Sequence, residues 1–185
     1  MRPRIALALA LASAATAGIP ALAASHNSGG SSTACADGIV TWSPGTLWAP
    51  NHKLQTITIN YTAPADSPAI PGDRTTITVG AITDDQAASD GTGELQGSGQ
   101  PTDQQGLDWA GTGNTATSDE GATATTTAQV RAERSGTDQA GRTYSIVVMC
   151  SESTTSNGVT VPDPDPNSSG MATLTVTVPH DQGQH

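Results

Sequence analysis

Apolar and polar residues alternate with a period of two in stretch after stretch of this chain. That rhythm restricts the fold more than any other feature, because side chains alternate faces only along a β-strand. Over residues 55–62, Ile57, Ile59 and Tyr61 share one face, with Thr56, Thr58 and Asn60 opposite. Over 75–81, Ile77, Val79 and Ala81 share a face; over 123–132, Ala128, Val130 and Ala132 do. Tyr144, Ile146, Val148 and Cys150 line one face of 143–150, and Leu174, Val176 and Val178 one face of 172–178. An earlier strand covers 39–42 and resumes near Leu47 and Trp48. Thr, Val, Ile, Gly and Pro dominate, a composition that suits pleated strands and turns and disfavours helices. Each strand has one face to bury. The expectation is therefore an all-β, Ig-like antiparallel β-sandwich of about seven strands. The chain has no Phe, so Trp42, Trp48 and Trp109 should weigh heavily in an otherwise aliphatic core.

The N-terminus has a different pattern. Arg2 and Arg4 precede an apolar run over residues 5–17, and Ala21-Leu22-Ala23 offers small residues at the −3 and −1 positions of a cleavage site. Residues 1–23 read as a secretory signal peptide, too short in its apolar part to anchor in a bilayer. Residues 24–34 read as a flexible polar lead and 35–183 as the sandwich domain. No later segment is apolar enough for a membrane span, so the mature chain is expected to be released outside the cell and to be a monomer. Loss of Arg2 and Arg4 would leave five of the seven basic residues against 17 acids, a net charge of −12. Such a field repels nucleic acid and anionic lipid. Cys35 and Cys150 are the two cysteines; in an exported chain they favour a disulfide. Cys150 falls on the inward face with Ile146 and Val148, which supports an intramolecular pair, an intermolecular bridge being the alternative.

Two stretches do not read as strands. Residues 84–121 are rich in Gly, Asp, Thr and Gln, with Leu95, Leu107 and Trp109 as large apolar anchors. A loop of that length is expected to hold a short strand or two, most readily near 107–110. Residues 151–170 contain Pro162, Pro164 and Pro166 and read as an extended, exposed hairpin connection.

Three blocks carry a family resemblance. Leu47-Trp48-Ala49-Pro50-Asn51-His52-Lys53-Leu54 resembles the opening "LWPPNHK" of Ig-like modules in secreted bacterial proteins related to hyalin-repeat (HYR-like) domains. Val130-Arg131-Ala132-Glu133-Arg134-Ser135-Gly136, followed by Gly141-Arg142-Thr143-Tyr144-Ser145-Ile146, resembles their "LRAERSG…GRxYxI" region. Thr175-Val176-Thr177-Val178-Pro179-His180-Asp181-Gln182 resembles their closing strand. The likeness covers roughly residues 41–183. Ala49 stands where a second proline is usual, Asp84-Asp85 where Asp-Glu is, and the connection after Cys150 is longer than usual. The resemblance implies an extracellular accessory module of adhesion or spacing, and brings no catalytic residues.

In a seven-strand Ig-like order the three blocks would meet at one pole, with Asn51-His52-Lys53, Asp84-Asp85, residues 133–142 and His180-Asp181 as neighbours. Asp84, Asp85 and Asp181 are oxygen donors suited to Ca²⁺, while His52 and His180 would shift the preference towards Zn²⁺. The competing reading is a hydrogen-bonded cap in which Arg131, Arg134 and Arg142 pair with the acids. Asp163-x-Asp165-x-Asn167 resembles the start of an EF-hand loop, but its prolines and the missing Gly and distal Glu make it an exposed acidic turn. Catalysis finds little support. No Gly-x-Ser-x-Gly is present, Cys150 faces inward, and Glu94, Glu120, Glu133 and Glu152 are scattered. The expected function is a non-catalytic module for adhesion, protein binding or spacing, with Trp48 and Lys53 as its binding surface and an extracellular protein as partner. The alternative is a carbohydrate-binding module that stacks a polysaccharide on an exposed Trp.

Overall fold

The computed structural model of the chain describes residues 31–48, 50–51, 53–64, 72–85, 108–133 and 140–180. The expected signal peptide, the start of the polar lead, Ala49, His52, Arg134, Asp181 and the anchors Leu95 and Leu107 lie outside them. Among the described residues ten strands form two antiparallel sheets, numbered here in chain order. The first sheet runs β1 (Ser31–Cys35), β2 (Gly38–Ser43), β3 (Leu54–Thr62), β7 (Thr123–Arg131), β5 (Trp109–Ala110). The second runs β10 (Ser169–Val178), β8 (Arg142–Ser156), β4 (Asp73–Asp84), β6 (Thr115–Asp119), and β9 (Val159–Pro162) pairs with the far end of β8. The expected sandwich is thus present. β2, β3, β7 and β5 take the places of the A-B-E-D sheet of an Ig-type sandwich, and β10, β8 and β4 those of the G-F-C sheet. β1, β6 and β9 are additions to that set.

The period-two faces meet between the sheets. Ile57, Ile59 and Tyr61 of β3, Ala128 and Val130 of β7, Tyr144, Ile146 and Val148 of β8, and Leu174, Val176 and Val178 of β10 are all buried. Trp42 and Trp109 join them, at 6% and 4% exposed, and the Trp42 indole N–H donates to the Thr175 carbonyl at 2.9 Å. The outward faces explain the abundance of threonine. Hydroxyl pairs Thr62–Thr123, Thr76–Thr117 and Thr78–Thr115, at 2.7, 3.0 and 3.0 Å, stitch neighbouring strands together. The Cys35–Cys150 disulfide joins the edge strand of one sheet to the other across 115 residues of sequence.

Three details differ from the sequence reading, and one expectation is met. β1 begins at Ser31, inside the stretch read as a polar lead. Its small residues pair in register with β2 from Ser31↔Trp42 to Cys35↔Gly38, so an edge strand forms without an apolar face. In β4, Ala81 is exposed and Ile82 takes the inward place, because a bulge between Val79 and Ile82 inserts one residue and reverses the parity. The met expectation is in residues 84–121, which hold the short strand expected near 107–110, β5, and a second one, β6. The turn between them is tied to the bulge, Val79 N–H donating to the Asn114 carbonyl at 2.8 Å and Gly113 N–H to the Val79 carbonyl at 2.8 Å. Beyond Cys150, β8 continues to Ser156 and returns as β9 through Asn157 and Gly158, both with positive φ as a two-residue hairpin turn demands. β9 is exposed throughout, so no alternation marks it.

Candidate functional site

The strand directions create two polar poles. The first gathers the ends of β4 and β7, the start of β8, the segment after β10 and the link into β3. Its centre is Tyr144. The Tyr144 hydroxyl donates to the Arg131 carbonyl at 3.0 Å and accepts from Arg142 Nη1 at 2.6 Å. A tyrosine at the start of an F-type strand, bonded back to the preceding corner, is a recurrent device of Ig-like folds. Burial pushes its phenol above the ordinary range, with Arg142 acting in the opposite sense. Arg131 is buried between two acids: its Nε lies 3.2 Å from Asp108 Oδ1 and 3.5 Å from Glu133 Oε2, and the Arg131 N–H donates to the Asp108 carbonyl at 2.7 Å. Burial raises the Asp108 carboxyl to about 6; Arg131 pulls it down, and Glu133 and Asp84 push it up. Gly141 adopts φ +79° and lies so close to the Val178 carbonyl that any Cβ would clash, which lets the segment after β10 fold over the pole.

The structure does bring segments of the three sequence blocks together here. Asp84 is opposite Tyr144, and Asp85 Oδ1 accepts the Thr143 N–H at 2.8 Å. The segment ending at His180 abuts Gly141. Asn51 N–H donates to the Ala132 carbonyl, Ala132 N–H to the Lys53 carbonyl, and Lys53 is exposed. His52, Asp181 and Arg134 lie outside the described residues. Among the described residues no group of three His, Cys, Asp or Glu is disposed to hold a metal. The geometry is that of a hydrogen-bonded, ion-paired cap around Arg131 and Tyr144. Asp108 was not read from the sequence as part of it; its one signal is its place beside the anchor Trp109. Trp48, on the same pole, is 36% exposed, and its neighbour Leu47 is held by an N–H bond to the Thr177 carbonyl at 2.8 Å.

The second pole lies at the other end of the strands and was not anticipated. The β1–β2 turn brings Asp37, the β6–β7 turn Glu120, β8 Glu152 and Thr154, and the chain from Val161 onward Asp163, Pro164 and Asp165 to one half-open cavity of about 460 Å³. The turn after β9 is closed by its own hydrogen bonds: Asp165 N–H donates to Asp163 Oδ1 at 2.7 Å, Asn167 N–H to Asp165 Oδ1 at 2.8 Å, and Ser168 Oγ to the Asp163 carbonyl at 3.0 Å. The "EF-hand-like" stretch is therefore an exposed acidic turn, and it forms one wall of the cavity. Glu152 Oε1 accepts from the Tyr61 hydroxyl at 3.3 Å. Burial, together with the hydrogen bond and charge of Asp37 and the charge of Glu120, raises the Glu152 carboxyl to about 8, against the lowering effect of the Tyr61 bond. Tyr61 is itself pushed above its ordinary range by burial and by Glu152. Asp73 completes the pole. It is 6% exposed, both carboxylate oxygens are buried without a hydrogen-bond partner, and it pairs in register with Thr154 of the cavity wall. No family model matches the chain, and neither the curated proteins nor the solved structures compared with it yield a match.

Proposed function

We propose that this chain is a non-catalytic, secreted Ig-like module that binds an extracellular protein through the first-pole surface around Trp48 and Lys53, serving adhesion or spacing. One observation carries the reading: of the three tryptophans, two are core residues and Trp48 alone stays accessible, at 36%. An exposed Trp at a pole that also presents an exposed Lys53 has the character of an interface anchor. The backbone bond from Leu47 to β10 restrains the segment, which lowers the entropy lost on docking. The leader-like N-terminus, the disulfide and the HYR-like blocks all support an exported module of this kind.

The same open indole favours a second reading, a carbohydrate-binding module with Trp48 as a stacking platform. Both are tested by pull-down from culture medium and by Trp fluorescence with insoluble polysaccharides, using the native chain and Trp48→Ala. The protein-binding reading expects a retained protein whose capture falls roughly tenfold or more in Trp48→Ala. A fluorescence shift with polysaccharide alone would favour the second reading, and capture indifferent to Trp48 would overturn both.

A further inference from the structure

The chain has three methionines, and one of them, Met1, opens the leader-like segment. The other two, Met149 of β8 and Met171 of β10, both face outward. Their neighbours Val148, Cys150 and Ala172 point inward and are buried, whereas Met149 is 44% and Met171 73% exposed. Among the described residues the core is built from Val, Ile, Leu, Ala, Trp, Tyr and the disulfide, with no Met. A thioether side chain commonly fills irregular gaps in a core. Here both lie on the outer face of the second sheet, where packing does not require them.

The two side chains also lie together. Met171 is opposite Met149 in the β10–β8 register. Thr177 directs both backbone groups away from β8, its N–H to the Gly45 carbonyl and its carbonyl to the Leu47 N–H. Counting back by twos along β10, Met171 has the same orientation. Met149 and Met171 therefore form a non-hydrogen-bonded pair, the kind whose side chains approach most closely. Both line one open depression of about 550 Å³, together with Thr78, Cys150 and Ser151. Cys150 is already in the disulfide, and the Thr78 hydroxyl pairs with that of Thr115 at 3.0 Å. The two thioethers are thus the reduced sulfurs of this depression.

We propose that Met149 and Met171 form a paired modification site, converted to methionine sulfoxide by peroxide-class oxidants, and that the conversion turns this patch of the outer sheet polar while the fold stays intact. In each step a sulfur lone pair attacks one peroxide oxygen. An S–O bond forms, the O–O bond breaks, and the other oxygen departs with both hydrogens as water. Sulfur loses two electrons and the peroxide gains them, giving a polar, chiral sulfoxide that methionine sulfoxide reductases can reverse. Sulfoxidation disrupts a core when the thioether is packed inside one. Here the new oxygens point to solvent, so the sandwich survives and the surface changes. Met171, the more open of the two, reacts first. The proposal is independent of the Trp48 surface; only the setting, an exterior without the reducing systems of the cytoplasm, rests on the secretion reading.

The test treats the intact protein with graded hydrogen peroxide, with a free methionine amide in the same solution as reference. Peptide mass mapping, amide NMR and retention on a hydrophobic-interaction resin are then read together. The expected result is one oxygen atom on each of Met149 and Met171, at rates within roughly tenfold of the reference and with Met171 ahead. The amide spectrum should stay dispersed and retention should fall. The double variant Met149→Leu/Met171→Leu keeps apolar side chains of similar volume. It should take up no oxygen at these positions, and its retention should not move with peroxide. Each single variant should take up one oxygen at the methionine that remains. Rates slower than the reference by more than roughly tenfold would mean that the thioethers are covered, and would overturn the proposal. Loss of amide dispersion on oxidation, or retention that does not change in the native chain, would overturn it equally.

Discussion

The two poles of the sandwich are built from the same kinds of residue and reach opposite electrostatic outcomes. At the first, Asp108 and Glu133 close on Arg131, and Arg142 meets the Tyr144 hydroxyl. At the second, Glu152 meets Asp37 and Tyr61, and Asp73, in register with Thr154, is buried without a hydrogen-bond partner. A buried carboxylate is held in place by a cation or by a proton. The first pole supplies arginines, so its acids become structural. The second supplies further acids, so a carboxyl keeps its proton at neutral pH. The difference teaches that polar residues at the end of a sandwich are not by themselves a site; what separates the two ends is whether an arginine or a proton meets the buried acid.

Four changes would break or sharpen that contrast. The largest effect is expected from the disulfide, which ties β1 to β8 next to the second pole. Replacing Cys35 and Cys150 by Ser should lower stability by about 4–5 kcal/mol in the chain-entropy account, read as the shift of the urea midpoint, and should loosen the turn that carries Asp37. At the first pole, Arg131→Met leaves Asp108 and Glu133 buried without their cation. A loss of about 3–5 kcal/mol is expected from chemical denaturation. At the second pole the equivalent test has a different sign: Glu152→Gln removes an acid from among acids, and the Tm at pH 8 should stay within about 2 °C of the native value or exceed it.

The smallest expected effect is the pH profile itself. Asp108 at about 6 and Glu152 at about 8 both hold their protons more tightly in the folded chain than in the unfolded one. Each contributes stability below its unfolded value and loses it as pH rises through the folded one. The Tm should therefore fall between about pH 4 and 6 through Asp108 and between about pH 4.5 and 8 through Glu152. General repulsion in an acidic chain acts in the same direction, so the decisive comparison is with Glu152→Gln, in which the decline above pH 6 should flatten.

Much of this molecule was legible because burial imposes a period. The five inward faces, the disulfide and the gathering of Asp84, Asp85, Arg131, Arg142 and His180 all follow from alternation and strand direction. Ala81 was misplaced because a bulge leaves no mark in a window of Thr, Val and Gly. β9 falls in the stretch expected to be an extended, exposed hairpin connection; its strand escapes the sequence because a strand exposed on both faces has no period to detect. The second pole was hidden because its members come from separate turns and from the far end of β8. A signal was nevertheless present: extending the parity of Tyr144, Ile146, Val148 and Cys150 by one step puts Glu152 on the inward face, and extending that of Ile77 and Thr75 backwards does the same for Asp73. An acid in an inward register position is a sequence-level mark of a cap or a site.

The most direct test of the contrast is a ¹³C carboxyl titration that assigns Glu152 in the native protein. The account predicts a midpoint of about 8. A midpoint near the ordinary value of about 4.3 for a glutamate would mean that the second pole is compensated after all, and would contradict it.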